Sequence, residues 1–121
     1  MSEWFRTLHP AVLYGINRTL LAAREANIPV IVCGEMASTP AYAVLLIGLG
    51  AIDLSMTPAM IPRVRTVVSR INADEAREVA LKCLQAATAD DVEELVRNEF
   101  RTRWPELFPL NTLPKPPQHP E

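Results

Sequence analysis

Side chains able to do chemistry are sparse in these 121 residues: two histidines, and two cysteines with no metal-ligand spacing around them. Cys33 has the most informative setting. It ends the apolar run Val30–Cys33, which Pro29 leads in and Gly34 stops, and Glu35 follows at once. A thiol ordinarily titrates near about 8.5, so at neutral pH it is mostly protonated, the form a general acid needs. The competing reading is a buried strand cysteine that packs as a small hydrophobe. Glu35 either orients the Cys33 turn or a substrate, or is a solvated loop carboxylate. Gly34 reads as steric relief at the strand end. Ser55 and Met56 close a second apolar stretch, with Met56 read as core. Arg63 and Arg65 either meet an anion near a helix start or belong to a solvated face. His9 reads as a helix-start residue, Cys83 as an inward-facing structural thiol, and His119 carries no role.

The elements that would position these residues follow from the stretch Val30–Thr57. β-branched residues fill three of the four positions from Val30 to Cys33, which predicts a strand covered on both faces, as in a parallel sheet. Ser38 and Thr39 are expected helix caps, with Pro40 at the first helical position. Ala41–Leu49 is almost wholly apolar and predicts a helix buried on most sides. Gly48 and Gly50 are expected to form its exit, and Ile52–Met56 a second strand. Strand, helix and strand so closely connected predict a βαβ unit with a parallel pair and a right-handed crossover.

Around that unit the pattern is helical. Pro10 to about Asn27 carries Leu13, Ile16, Leu20 and Ala23 at helical spacing, and Gly15 within it is expected to pack closely on a neighbour. Ile61, Val64, Val67, Val68 and Ile71 share one face of a further helix. Asn72 with Glu75 caps a helix over about Ala73–Ala87, and Thr88 with Asp91 caps one ending near Arg103. Val92, Leu95, Val96 and Phe100 are its inward residues. Trp4, Phe5 and Leu8 need cover. The order is α/β, organised as a domain over residues 1–104 and a tail over 105–121. That tail holds six of the eleven prolines and is expected to be extended and disordered. A two-stranded parallel sheet with two open edges is not a stable domain, so the chain reads as a piece of a larger sheet or barrel, or as one that pairs with another chain.

Composition narrows the partners. Apolar residues make up 49 %, enough for a real core. A net charge of −2 and a pI near 5.7 argue against nucleic acid or an anionic membrane. No apolar run reaches the roughly 18 residues of a membrane span. Glu3, Trp4 and Arg6 stand where a secretory signal would need a basic then apolar stretch. The expectation is a cytoplasmic chain with both cysteines reduced.

At VCGEMAS followed by LLIGLGAIDLSMTPAMIPRVR, the chain resembles the C-terminal domain of bacterial enzyme I, the phosphoenolpyruvate-protein phosphotransferase of the sugar phosphotransferase system. The resemblance runs from about Leu8 to Phe100. The Cys-Gly-Glu turn, the Gly-x-Gly exit, the Ser-Met step and the Ile-Pro-Arg helix start keep the family's order and spacing. Pyruvate phosphate dikinase and phosphoenolpyruvate synthase share the Cys-Gly-Glu/Gln theme, and a fragment of that type is the alternative enzyme. Leu54-Ser55-Met56 and Ile61-Pro62-Arg63 favour enzyme I.

The resemblance implies the last two βα units of a phosphoenolpyruvate-utilising (β/α)₈ barrel plus C-terminal helices, that is, a partial barrel. Ligand sites of such barrels lie at the carboxyl ends of the strands, where Cys33 falls. It further implies that Cys33 donates a proton to C3 of the enolate left when phosphate moves to a protein histidine. Gly34, Glu35 and Ser55 would then form the substrate-side loops. Mg²⁺ is implied as cofactor, but the family's metal-binding Asn-Asp pair and glutamate, its anion-binding arginines and its phosphohistidine domain match no residues of this chain. Ser38-Thr39 replaces the Gly-Asp common in the family. Expected partners are phosphoenolpyruvate or pyruvate, and a complementary barrel polypeptide or further copies of the chain. The reading from a different class is a non-catalytic, self-associating interaction module or remnant.

Overall fold

A computed structural model describes residues 8–109. Helix α1 (Pro10–Ala26) starts where His9 Nδ1 accepts a hydrogen bond from the Ala11 N–H at 3.1 Å. Pro10 occupies the first turn, where its missing donor costs nothing. Asn27 ends the helix in the left-handed region (φ 57°), which asparagine tolerates better than most residues. Strand β1 (Ile31–Val32) follows, then a single helical turn α2 (Glu35–Ser38), helix α3 (Pro40–Gly48) and strand β2 (Asp53–Leu54). The two strands pair in parallel, Ile31 with Asp53 and Val32 with Leu54, as the βαβ reading required. A 3₁₀ turn (Pro58–Met60) leads into α4 (Ile61–Arg70), α5 (Ala73–Leu84) and α6 (Ala89–Arg103).

The core lies among the helices. Ala41, Ala43, Val44, Leu45 and Leu46 of α3 are all buried. They meet the small-residue stripe of α5, where Ala76, Val79, Ala80 and Cys83 are buried. Leu8 is buried in the same core, whereas Trp4 and Phe5 fall outside the described residues. Capping follows the sequence at α5, where Asn72 Oδ1 accepts from Asp74 N (2.8 Å) and Glu75 N (3.4 Å). It does so again at α6, where Thr88 Oγ1 accepts from Asp91 N at 3.1 Å. Both contacts satisfy donors that a helix start leaves open. Helix α5 ends three residues short of the expected Ala87.

Several expectations are corrected. Strands of two residues replace the expected four and five, and β1 is not covered on both faces. Val32 and Leu54 pack towards the core, but Ile31 remains 65 % exposed. Among the described residues, helices cover one side of the sheet only, so the continuous apolar run reflects a face that none of them covers. Gly15 lies on the exposed side of α1, and a Cβ there would meet nothing within 4 Å, so it makes no close contact. Of the expected α1 stripe, Leu13 is buried, while Ile16, Leu20 and Ala23 are half-buried. Close approach occurs instead at Gly48, read from sequence as part of an exit. A Cβ at Gly48 would lie 2.7 Å from the Ala76 carbonyl carbon and 2.9 Å from Ala80 Cβ. Gly50 alone makes the turn out of α3, at φ 105°.

Leu107 and Phe108, assigned on sequence to the tail, belong to the packed region. Phe108 is buried, with its ring centroid 4.9 Å from that of Phe100, and Trp104 meets Phe100 edge-on at 5.0 Å. Such pairs add to the area they bury. The rest of the proline-rich stretch lies outside the described residues.

Candidate functional site

The site is built from the carboxyl end of β1 and the turn that follows. Gly34 has φ 91° and ψ −163°, a combination open essentially to glycine alone. A Cβ there would meet no atom within 4 Å, so its requirement is conformational, not the steric relief expected. Through this kink the chain leaves β1 and enters α2, which Met36 and Ala37 anchor in the core. Ser38 Oγ donates to Gly34 O (3.0 Å) and Thr39 Oγ1 to Glu35 O (2.9 Å). These hydroxyls therefore bond backwards, and neither caps α3 as expected. An intervening helical turn puts them where the carbonyl four residues back is the nearest partner.

Cys33 is exposed and unpaired, which removes the reading of a buried strand cysteine. The other thiol, Cys83, is fully buried between helices, as its inward stripe predicted. Burial, and after it the Glu99 carboxylate, push the Cys83 thiol up to about 12. It is a neutral packing group, without the thiolate character a nucleophile requires.

The sheet register decides what accompanies Cys33. Ser55 N donates to Val32 O at 2.8 Å, carrying the pairing past Leu54. The next pair in register is then Cys33 with Ser55. Side chains alternate along a strand, so Cys33 and Ser55 stand on the face of Ile31 and Asp53, opposite Val32 and Leu54. That face is open: Ile31, Cys33, Asp53 and Ser55 are all exposed. Adjacent strands lie about 4.8 Å apart, so this register brings the backbones of Cys33 and Ser55 next to one another just past the strand ends. Glu35 is exposed in the first turn of α2, close in sequence to this pair.

Two open grooves flank the sheet. One, of about 490 Å³, runs between α1 and β1 and is lined by Val12, Ile16, Val30 and Cys33, with Gly15 also on its wall. The other, of about 750 Å³, runs between β2 and α4 and includes Leu54, Ser55, Met56, Val64 and Arg65. Ile31 lines both. The two arginines that sequence treated alike are thereby separated, since Arg65 lines the second groove and Arg63 does not. Sequence reasoning left Arg65 between two roles; its position four residues after Ile61 and one after Val64, both on the groove wall, was the available signal. His9 serves α1 as a cap.

The donor set does not fit a Mg²⁺ site. Among the described residues no three of His, Cys, Asp and Glu gather where they could hold one ion, and the strand ends offer a thiol, a hydroxyl and separate carboxylates. Mg²⁺ prefers a nearly octahedral oxygen shell.

Comparison with known proteins agrees with the motif order. Residues 1–73 match the family model for the PEP-binding domain of PEP-utilising enzymes. A phosphoenolpyruvate-protein phosphotransferase of Cupriavidus necator is 37 % identical over 101 residues, covering 84 % of this chain and 17 % of that protein. One from Haloferax volcanii is 40 % identical over 87 residues, covering 72 % of this chain and 15 % of the relative. A multiphosphoryl transfer protein of Xanthomonas campestris is 42 % identical over 89 residues, 74 % of this chain and 11 % of that one. The chain thus spans under a fifth of the length of these curated relatives. With its strand–turn–helix unit, Cys-Gly-Glu kink and Ser-Met step in place, the chain belongs to the family of the PEP-binding domain of PEP-utilising enzymes.

Proposed function

We propose that this chain supplies the proton-donating corner of an enzyme I-type phosphoenolpyruvate site, as the last two βα units of a (β/α)₈ barrel. The observation that carries the reading is the exposed Cys33 at the carboxyl end of β1, on the open face of a parallel sheet. Parallel strands need cover on both faces. Ile31 at 65 % and Ile52 at 87 % exposure mark where further strands of a complementary polypeptide would lie. In the family reaction, phosphate leaves phosphoenolpyruvate for a protein histidine. The Cys33 S–H bond breaks as a C3–H bond forms on the enolate, the C2 carbonyl closes, and pyruvate and a thiolate result. Gly34 fixes the kink that presents the thiol, and Glu35 and Ser55 border the substrate. The Mg²⁺ that the resemblance implies belongs to residues beyond this ledge. A protonated thiol requires a reducing compartment, which the cytoplasm supplies.

The test co-expresses the chain with the upstream part of the PEP-binding domain of the Cupriavidus necator relative. Exchange of pyruvate C3 protons into deuterated water is followed by NMR. Cys33→Ala is expected to lower exchange by about a hundredfold or more, the usual weight of a positioned acid, while the two polypeptides still co-purify. Unchanged exchange in Cys33→Ala overturns the role of the thiol. A folded homo-oligomer that binds no upstream partner would favour the self-associating module, for which the exposed Ile31 and Ile52 are the supporting observation.

A further inference from the structure

Between two fixed points of the backbone only Cys33 and Gly34 intervene. On the strand side, Val32 O accepts from Ser55 N at 2.8 Å, which pins β1 to β2 at its last residue. On the helix side, Gly34 O accepts twice from one residue, from Ser38 N at 3.2 Å and from Ser38 Oγ at 3.0 Å. Thr39 Oγ1 holds the next carbonyl, that of Glu35, at 2.9 Å. Met36 and Ala37, buried between them in sequence, seat the turn in the core. The direction in which the chain leaves Cys33 is therefore set by the Gly34 dihedrals, φ 91° and ψ −163°, and by the bonds that keep them.

The backbone alone keeps them weakly. Helix α2 is one turn of four residues, and Pro40 has no N–H to carry its ladder on into α3. A first turn fixes several dihedrals for a single hydrogen bond, so by itself it is unfavourable. Glycine has the widest choice of conformations of any residue, which leaves a kink at position 34 free to swing unless its carbonyl is tied. Ser38 ties that carbonyl and Thr39 the one after it. Both residues are half-buried, and a hydroxyl bonding four residues back needs no other element to do so.

We propose that Ser38 and Thr39 are positioning residues, whose hydroxyls lock the Gly34 kink and so fix where Cys33 presents its thiol. This rests on the Cys33 reading above and adds to it two residues that act through the backbone. A reacting group misplaced by about an ångström loses about a hundredfold in rate, so a tie that holds one kink geometry is felt in the proton transfer. Ser38 carries the greater weight, because its hydroxyl bonds the kink residue itself.

The test has two readouts. In the complemented domain, exchange of pyruvate C3 protons is measured against pyruvate concentration for each variant. Ser38→Ala is expected to lower kcat about two- to tenfold, the factor by which one neutral hydrogen bond shifts a local equilibrium, with KM unchanged. Ser38→Thr keeps a hydroxyl able to bond four residues back and should restore kcat. Thr39→Val should lower kcat by a smaller factor that Thr39→Ser restores. In the chain alone, the amide at position 38, corrected for its intrinsic rate, should exchange with solvent faster by the same factor in Ser38→Ala. The amides of buried Val44 and Val79 should be unaffected. Alanine is the better helix former, so a serine that only fills the turn predicts equal or slower amide exchange and wild-type kcat in Ser38→Ala. Either of those results overturns the proposal, as does a loss that Ser38→Thr fails to restore. A raised KM at constant kcat overturns it in favour of substrate contact. The Cys33 reading fails separately, by unchanged proton exchange in Cys33→Ala, while the amide readout still decides whether Ser38 holds the kink.

Discussion

Replacing Gly48 by alanine tests the packing that holds this fold together. The added methyl would point into α5, 2.7 Å from the Ala76 carbonyl carbon and 2.9 Å from Ala80 Cβ. Carbon–oxygen contacts normally close to about 3.3 Å, so α3 and α5 must separate by the better part of an ångström. The obstructing group is backbone and cannot swing aside. A radial gap of about 0.5–1 Å forfeits a quarter to a half of the dispersion between facing atoms, and here it falls across Val44, Leu45, Val79 and Ala80, all buried. Overpacking of this kind costs about 1–3 kcal/mol, and backbone obstruction puts it at about 3. Alanine returns up to about 1 kcal/mol of helix propensity, leaving a net loss of about 2 kcal/mol. For a domain of this size that lowers the melting temperature by about 8–10 °C. The control is Gly15→Ala, at an exposed helical site where a Cβ meets nothing; the same chemical change should there stabilise by about 0.5–1 kcal/mol. Thermal and urea unfolding followed by far-UV circular dichroism would measure both. A Gly48→Ala chain that melts at or above the wild type would refute the close α3–α5 approach.

At Gly34 the constraint is dihedral: an alanine forced to φ 91° and ψ −163° should destabilise the turn by about 1–3 kcal/mol, read as a lower urea midpoint and slower or less selective alkylation of Cys33. The Glu99 network gives a pH dependence. Hydrogen bonds from Lys82 first and Arg103 second hold the Glu99 carboxyl below its ordinary value of 4.5. A carboxylate with a depressed folded-state pKa contributes stability that is present above about pH 4.5 and lost as pH falls through the folded value. Glu99→Gln should cost about 1 kcal/mol near neutrality and flatten the acid limb of a stability–pH curve; an unchanged limb would assign the acid sensitivity elsewhere.

How much of this was legible in sequence depended on the range of the interaction concerned. Pro10, Asn72 and Thr88 mark helix starts because a cap acts within three residues, and each element begins where they place it. The buried stripe of α6, the inward Cys83 of α5 and the parallel βαβ connection were equally readable, since periodicity and connection length are properties of one segment. Cys33 was legible as a strand-end residue through the ordered motifs around it. Four features needed the tertiary structure. Gly15 and Gly48 are both glycines within helical runs, and only the neighbouring helix decides that one is empty space and the other a contact. Ser38 and Thr39 have the chemistry of caps, but the extra turn α2 aims them backwards. Arg63 and Arg65 are separated by the groove that β2 and α4 enclose. Phe108 follows a proline that ends the helix, yet its ring is recovered by Phe100. Sequence by itself determined the order, type and polarity of the elements, because those follow from local propensity and spacing. Which face of the sheet stays open, and which side chains share it with Cys33, was decided by register and helix packing, which depend on residues far apart in the chain.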